Sequence, residues 1–472
     1  MLPRQDRSQY FSEDTIAAIC TAVGGAVSVI RISGPDSLAV FKKVSVQSLE
    51  SEPRKLIKTM LTNPASHAVL DEVLAVYFPK GSSFTGEEVV ELQGHGGAFG
   101  SARTLECVLN LGVRQALPGE FSFRAVRNGK MSLTQAEAVA ELIQASNDQA
   151  VELALDKLQG LQHEQMMVLS TEIKNLTARS ELGIDFSDQD VEELSLPQLK
   201  KGAALVLKKI EEIKSTYRRG KSIQEGIRIA FFGLPNAGKS SLFNALIGED
   251  RSIVTQIPGT TRDIVHEVLT LRSAAGKSIT LRLEDTAGLR KTHDLVEKMG
   301  MDRTLRAAKE ADLVFVMADA SQAEQIEELS TYWEQSAVVQ KRAIGILHKV
   351  DLLDLKKQKE MTEILKEKFG ISSWISVSSL KLTGVNELVD VVFERCEEET
   401  RRKPKEILIT RLDHLQALQA AEQDLARATQ ATEEDLFAAD IRQTLHSLEP
   451  ILGKTSTDDI LGKIFSEFCI GK

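Results

Sequence analysis

Gly233-Leu234-Pro235-Asn236-Ala237-Gly238-Lys239-Ser240-Ser241 follows an apolar alternating run, Ile227-Arg228-Ile229-Ala230-Phe231-Phe232, and leads into Leu242-Phe243-Asn244-Ala245-Leu246. The stretch fits G-x-x-x-x-G-K-[ST], the phosphate-loop pattern, and its neighbours read as a strand before it and a helix after it. The chemistry needs that setting. Glycines let successive backbone N–H groups turn toward phosphate oxygens, the helix N-terminus favours negative charge, Lys239 reaches the β/γ oxygens, and Ser240 can ligate Mg²⁺. The stretch predicts a nucleoside triphosphate site.

Motifs further along the chain select GTP over ATP. Gly259-Thr260-Thr261-Arg262-Asp263 stands where a switch loop supplies a threonine to Mg²⁺ and the γ-phosphate. Leu281-Arg282-Leu283-Glu284-Asp285-Thr286-Ala287-Gly288 reads as a strand ending in a DTAG motif, with Asp285 as the Walker-B-type carboxylate and Gly288 offering its N–H to the γ-phosphate. His348-Lys349-Val350-Asp351 stands where GTPases carry N-K-x-D. An aspartate there accepts from guanine N1 and the exocyclic amine, and adenine would leave it unpaired. Ser378-Ser379-Leu380 completes the base side. Three residues depart from the common pattern: His348 replaces asparagine, Leu380 replaces the usual lysine, and Leu289 stands where Ras-like switches carry the water-orienting glutamine. The first two predict micromolar or weaker GTP binding, and the third demands another polar group and another source of positive charge.

Outward from this core, three textures organise the 472 residues. Up to about Gly129, short alternating runs such as Ser28–Ser33, Val73–Phe78 and Val89–Gln93 sit between turn residues, with an amphipathic segment over Ala102–Leu111, which predicts an α+β domain (1–128). From Met131 the period becomes helical, with a capping-box signature at Thr134 and Glu137, and runs to about Arg219 with a break near Gly183–Phe186 (129–220). Residues 221–389 alternate strands and helices, with strands expected at 227–232, 265–271, 278–284, 313–318, 343–347 and 374–378. Helix returns over 390–472, ending in an amphipathic segment Asp459–Phe468. Helices on both sides of the α/β unit imply that it is inserted into one discontinuous helical domain.

Composition sets outer bounds. Four scattered cysteines without a C-x-x-C pair argue against a disulfide framework and for a reducing cytosol. No apolar run reaches the roughly 18–20 residues that span a bilayer. A net charge of −10 and a pI of about 5.5 give no global footprint for nucleic acid, so any RNA contact is local or shared with a partner.

The chain resembles the MnmE (TrmE) family of bacterial tRNA-modification GTPases, within the TrmE-Era-like group, over essentially its whole length. The marks are the nucleotide motifs, Leu289-Arg290 followed by Asp294-Leu295-Val296-Glu297, and in the N-terminal part Ser83-Phe84-Thr85-Gly86-Glu87, Glu91-Leu92-Gln93-Gly94-His95-Gly96-Gly97 and Pro118-Gly119-Glu120-Phe121-Ser122. The ending Phe468-Cys469-Ile470-Gly471-Lys472 is the family's hallmark. The resemblance implies an N-terminal folate-binding, dimer-forming domain, the discontinuous helical domain, and an inserted α/β P-loop G domain. It implies a cytoplasmic homodimer, not bound to membrane, that joins the FAD protein MnmG (GidA) in a heterotetramer or larger complex. Together they place a carboxymethylaminomethyl or aminomethyl group on the wobble uridine of certain tRNAs, with a tetrahydrofolate derivative (5-formyl or methylene) as one-carbon carrier.

The resemblance also implies residue roles. Hydrolysis is activated by K⁺ and by G-domain dimerisation, with Asn236, Thr255, Ile257 and Thr260 as K⁺ ligands and Ser240 and Thr261 on Mg²⁺. Gln256 and Pro258 lie in the same nucleotide-binding run. Glu297 matches the family's water-positioning glutamate, and its place in the hallmark ending gives Cys469 a part in the modification chemistry. Arg31, Glu91, Lys130 and Lys472 match folate-binding positions, although the loop Thr21–Val27 lacks the family's Pro/Gly/Arg-rich character. Arg31 interrupts an apolar strand and so needs a buried partner or a ligand, and His95 reads as a packed or hydrogen-bonded loop histidine. The alternative reading is a regulatory GTPase of the Era type, acting as a switch in ribosome or RNA assembly. A folate enzyme with a vestigial G domain finds support only in His348 and Leu380, because Lys239, Ser240 and Asp285 are all present.

Overall fold

The computed structural model describes residues 10–22, 24–185, 195–248, 252–255, 267–273, 276–283, 297–336, 338, 340–403, 405–453, 468 and 471. By its internal contacts the chain divides into two units, each gathered from separate segments. One comprises Met1–Ala140, Lys157–Leu207 and Gln416–Lys472, and the other Glu141–Asp156 and Lys208–Leu415.

The first unit holds a six-stranded sheet of β1 (Ile16–Ile19), β2 (Val27–Ser33), β3 (Ile57–Thr62), β4 (Val69–Phe78), β5 (Val89–His95) and β6 (Arg114–Gln115), in the order β3-β4-β5-β2-β1-β6. All neighbours are antiparallel except β1 and β6. Alternation along β2 sends Ile30 and Ile32 into a core with Phe41, Leu61, Ala75, Leu92 and Val108, which the helices Ser37–Val44 and Ala98–Leu109 supply in part. Arg31, between them, is left to the other face, directly opposite Glu91 in the register. Gly94 and His95 extend strand β5 where a turn is expected from sequence, and His95 is exposed, its Nδ1 2.7 Å from Asp71.

A buried charge network holds the helix Glu120–Arg127 against this sheet. Arg124 is wholly buried and donates to Asp14 (2.9 Å), Glu87 (3.1 Å) and Glu120 (3.0 Å), and to the Asp14 carbonyl. Arg114 reaches the same Asp14 and Glu120. Burial pushes the Asp14 carboxyl up, but hydrogen bonds from Arg114 and Ser12 and the charges of Arg114 and Arg124 outweigh it, holding Asp14 at about 2.

The helices of this unit include Leu161–Asp185, which packs on Glu434–Leu452 from far along the chain. Two local expectations are corrected. The reciprocal cap at the start of Leu133–Gln144 is made by Ser132 and Gln135, each side chain accepting from the other's N–H (3.2 and 2.9 Å), and not by Thr134 and Glu137. Leu161–Asp185 also continues through Gly183 and Ile184, because a single glycine costs a helix only about 1 kcal/mol. At the C-terminus, Phe468 is buried with Tyr10, Leu117, Phe123 and Leu133. Gly471 adopts φ +95°, and a Cβ there would stand 2.3 Å from the Ile19 carbonyl, so only glycine closes the chain onto β1.

The second unit is built on β7 (Ile227–Phe232), β8 (Ser252–Thr255), β9 (Glu267–Arg272), β10 (Ser278–Leu283), β11 (Leu313–Asp319), β12 (Ala343–His348) and β13 (Trp374–Val377). Their order is β13-β12-β11-β7-β10-β9-β8, parallel from β13 to β10 and antiparallel beyond. Ile229 and Phe231 pack on one face while Ala230 and Phe232 pack on the other, so Ile229–Phe232 is apolar throughout, as a sheet covered on both sides requires. Each of the six strands expected here lies within two residues of its observed bounds. The helix Val385–Thr400 runs unbroken across residue 389, with Leu388, Val389, Val392, Phe393 and Cys396 in one core, and the helix Tyr217–Glu225 likewise spans the expected division at 220. Among the described residues, no helix is long and apolar enough to cross a membrane.

Truncating Arg124 would remove the one cation shared by Asp14, Glu87 and Glu120, leaving the wholly buried Glu120 to Arg114 alone. Arg124→Ala is expected to cost about 3–5 kcal/mol in the first unit. Both tryptophans, Trp333 and Trp374, lie in the second unit, so urea unfolding by far-UV circular dichroism should shift while the tryptophan fluorescence transition stays put. Coincident shifts of both signals would refute the assignment of this network to one unit.

Candidate nucleotide site

Strand order in the second sheet reverses at β7, which has β11 on one side and β10 on the other. In open parallel sheets a ligand crevice forms outside the carboxyl ends of the strands at such a point. The phosphate loop leaves β7 there and enters the helix Lys239–Ile247 through Gly238, at φ +93°, with Asn236 also left-handed at φ +62°. Lys239 Nζ donates to the carbonyls of Gly233 (2.8 Å) and Leu234 (2.9 Å), folding the loop on itself. Burial lowers its ammonium to about 8. An incoming phosphate therefore meets a cation already poor in water, which strengthens the contact.

The base side comes from the ends of β12 and β13. His348 closes β12, and Lys349, at φ +60°, throws its side chain across to the Asn236 carbonyl (2.9 Å) and to Asp319 Oδ2 (2.6 Å). Ser378 Oγ donates to Asp351 Oδ1 and accepts from the Lys381 N–H. The Ser378 bond is the largest of the effects that hold the Asp351 carboxyl below the usual carboxylate range. An ionised, oriented acceptor is what guanine's N1–H and amine need. Ser379 Oγ lies 2.7 Å from His348 Nε2, and Leu380 is 83% exposed.

The structure thus brings together Asn236, Ala237, Gly238, Lys239, Ser240, Ser241, His348, Lys349, Asp351, Ser378, Ser379 and Leu380. Thr255 ends β8 and Glu297 opens the helix Glu297–Glu310. Gln256, Ile257, Pro258, Gly259, Thr260, Thr261, Asp285, Thr286, Ala287, Gly288, Cys469 and Lys472 lie outside the described residues. Sequence reasoning missed Asp319, whose bonds to Lys349 and to Ser321 keep its carboxyl below the ordinary value against burial that raises it. A signal exists for it: a lone charge ending the buried run Leu313–Ala318.

In the first unit, Arg31 finds a partner on the neighbouring strand, the partly buried Glu91. Its Nε donates to Glu91 (2.8 Å), and its guanidinium sits 5.0 Å from the Phe84 ring centroid and 5.3 Å from that of Phe121. Lys130 Nζ donates to the Gly81 carbonyl (3.0 Å), at the start of the loop that carries Phe84. Sequence reasoning missed Phe84 and Phe121 at this site, although both stand inside motifs of the N-terminal part.

A family model described as GTP-binding protein TrmE N-terminus matches residues 15–130, and one described as MnmE helical domain matches residues 133–469. The tRNA modification GTPase MnmE of Aquifex aeolicus is 38% identical over 465 residues, covering 97% of this chain and 100% of that one. MnmE of Desulforamulus reducens is 35% identical over 470 residues, covering 98% and 100%. This chain belongs to the MnmE family of tRNA modification GTPases. Solved GTPases are more remote: Era of Aquifex aeolicus bound to GDP and aluminium fluoride is 21% identical over 45% of this chain and 69% of its own, at a TM-score of 0.27.

If Asp351 reads guanine, changing its acceptor to a donor should change the base. Asp351→Asn is expected to weaken GTP binding by about tenfold or more and to gain binding of xanthosine triphosphate, whose altered edge accepts where guanine donates. Calorimetry with both nucleotides checks this, and an unchanged GTP preference would remove Asp351 from base recognition.

Proposed function

We propose that this chain is a K⁺-dependent GTPase that works with an FAD-containing MnmG-type partner to add a carboxymethylaminomethyl or aminomethyl group at C5 of the wobble uridine of certain tRNAs. The observation that carries this reading is one cradle, with Lys239 for phosphate and Asp351 for guanine, inside a chain matched end to end by proteins named tRNA modification GTPase. The Era-type alternative does not explain the match of residues 15–130, outside the nucleotide unit, to a TrmE N-terminal family model.

The residues divide the work. Lys239 offsets charge on the β/γ oxygens, and Ser240, in the first turn of its helix, would hold Mg²⁺ with Thr261. Asn236 presents a half-rigid amide on the exposed crest of the phosphate loop, its own carbonyl fixed by Lys349. A hard oxygen donor there fits an alkali cation, and Thr255, Ile257 and Thr260 would complete the K⁺ set. Such a cation supplies charge near the phosphates where Leu289 offers none. Glu297 positions the attacking water, with Asp285 on the Mg²⁺ side. GTP is cleaved to GDP and phosphate, and G-domain pairing across a homodimer gates the step.

The Arg31 cluster fits a tetrahydrofolate. Glu91 provides a carboxylate of the kind that accepts from a pterin's amide and amine edge, the half-exposed Phe84 offers a ring face, and Lys130 and Lys472 suit the acidic tail. Cys469 takes part in the chemistry beside it. The packing of Leu161–Asp185 on Glu434–Leu452 supports a helical domain built from 129–220 and 390–472 with the G domain inserted. The acidic composition leaves tRNA recognition shared with the partner, in the cytoplasm.

Nucleoside mass spectrometry of total tRNA from cells with and without this chain tests the reading. Loss of the aminomethyl-type wobble uridine is expected, and unchanged tRNA in a cell with no second copy would sink it. In the purified chain, Glu297→Ala should slow hydrolysis by about tenfold or more with GTP binding nearly intact, and an unchanged rate would remove Glu297 from the mechanism.

A further inference from the structure

His348 is 3% exposed, and both edges of its ring are engaged. Nε2 lies 2.7 Å from Ser379 Oγ in the base loop. The other edge lies on the phosphate loop, where a Cβ built on Gly238 would fall 2.1 Å from Nδ1 and 2.3 Å from Cε1. Gly238 is therefore glycine twice over, once for its left-handed backbone and once for the ring above it. Nδ1 is buried with no hydrogen-bond partner. The next residue, Lys349, crosses to the Asn236 carbonyl, so two consecutive side chains stitch the end of β12 to the phosphate loop.

We propose that His348 is a positioning residue for the nucleotide: its neutral ring clamps the phosphate loop to the base loop, in the place where N-K-x-D proteins use an asparagine. This rests on the GTP reading and deepens it, because asparagine cannot titrate and histidine can. A neutral imidazole carries one donor and one acceptor, and the Ser379 hydroxyl satisfies Nε2 in either sense. A charged ring needs an acceptor at both nitrogens, and beside Nδ1 there is only the Ala237 backbone, too poorly aligned to make a hydrogen bond and too weak to offset burial.

The charges around the ring are Lys349, Asp319 and Asp351, with Lys239 in the phosphate loop and Lys381 in the base loop. Burial is the largest effect and, with Lys349, outweighs the Ala237 backbone, Asp319 and Asp351, so the imidazole sits below its ordinary value. The clamp is therefore complete above the ordinary histidine range and is lost as pH falls through the lowered value.

The test is calorimetric titration of the full chain, with Mg²⁺ and K⁺, by a non-hydrolysable GTP analogue between about pH 8 and about pH 5.5. At the alkaline end, His348→Ala is expected to weaken binding about tenfold, and His348→Asn to stay within about threefold of the unsubstituted chain. Toward the acid end the unsubstituted chain should lose about fivefold more affinity than His348→Asn. Ser379→Ala, which leaves the ring and the phosphate loop in place, should weaken binding severalfold. Unchanged affinity in both His348→Ala and Ser379→Ala overturns the proposal, as does an acid loss that His348→Asn shares in full. Failure of the unsubstituted chain to bind at any pH overturns the GTP reading itself and the clamp with it. Normal binding with unchanged cellular tRNA sinks only the modification chemistry and leaves the clamp standing.

Discussion

Close approach of the phosphate-loop backbone at Gly238 to the His348 ring at the end of β12 is the constraint on which the second unit's nucleotide cradle depends. It exists because β7 and β12 are parallel strands one neighbour apart, with β11 between them, all ending on the same side of the sheet. The distance between their loops is then fixed by sheet geometry and cannot be tuned loop by loop. Lys349, Asp319 and Asn236 close the same gap with polar contacts. Phosphate and base recognition are thus parts of one mechanical object.

How much of this is legible in the sequence depends on range. Phosphate-loop chemistry is local, so Gly233–Ser241 declares itself in one line of residues. Central parallel strands are buried on both faces, so β11 and β12 stand out as apolar runs that end only at Asp319 and His348, and β7 departs from the pattern only at Arg228. Strand β3 escapes notice because Lys58, Thr59 and Thr62 dilute its alternation, and its Met60 is left exposed. Strands β1, β6 and β8 are four residues or fewer, too short for any period to emerge. Asp319 and Phe84 owe their roles to neighbours distant in the chain, Lys349 and Arg31, which no window of sequence contains. Domain divisions at 220 and 389 fall where texture changes, but texture changes inside a helix when its partner changes, not where it ends.

The first unit treats two arginines differently, one wholly buried and one partly exposed. Arg124 has no exposure and its two terminal nitrogens reach three carboxylates and a carbonyl, a network that fixes one helix to one sheet. Arg31 has one carboxylate and two ring faces, and one of those rings is itself partly exposed. At 18% exposure the Arg31 side chain keeps some contact with water, which offsets its smaller number of acceptors.

The same reasoning bears on how tightly the nucleotide is held. Lys239 already donates to two carbonyls of its own loop, and an arriving phosphate must replace those bonds before it gains any. Leu380 contributes apolar surface where a lysine stem and charge are commoner, so the base gains cover without added attraction. Against these losses stands a cradle whose two halves are fastened before GTP arrives, which lowers the ordering cost of binding. Preorganisation without strong attraction favours quick exchange over long residence. A GTPase gains more from that exchange than from tight binding, since energy spent holding the ground state is not available to the transition state.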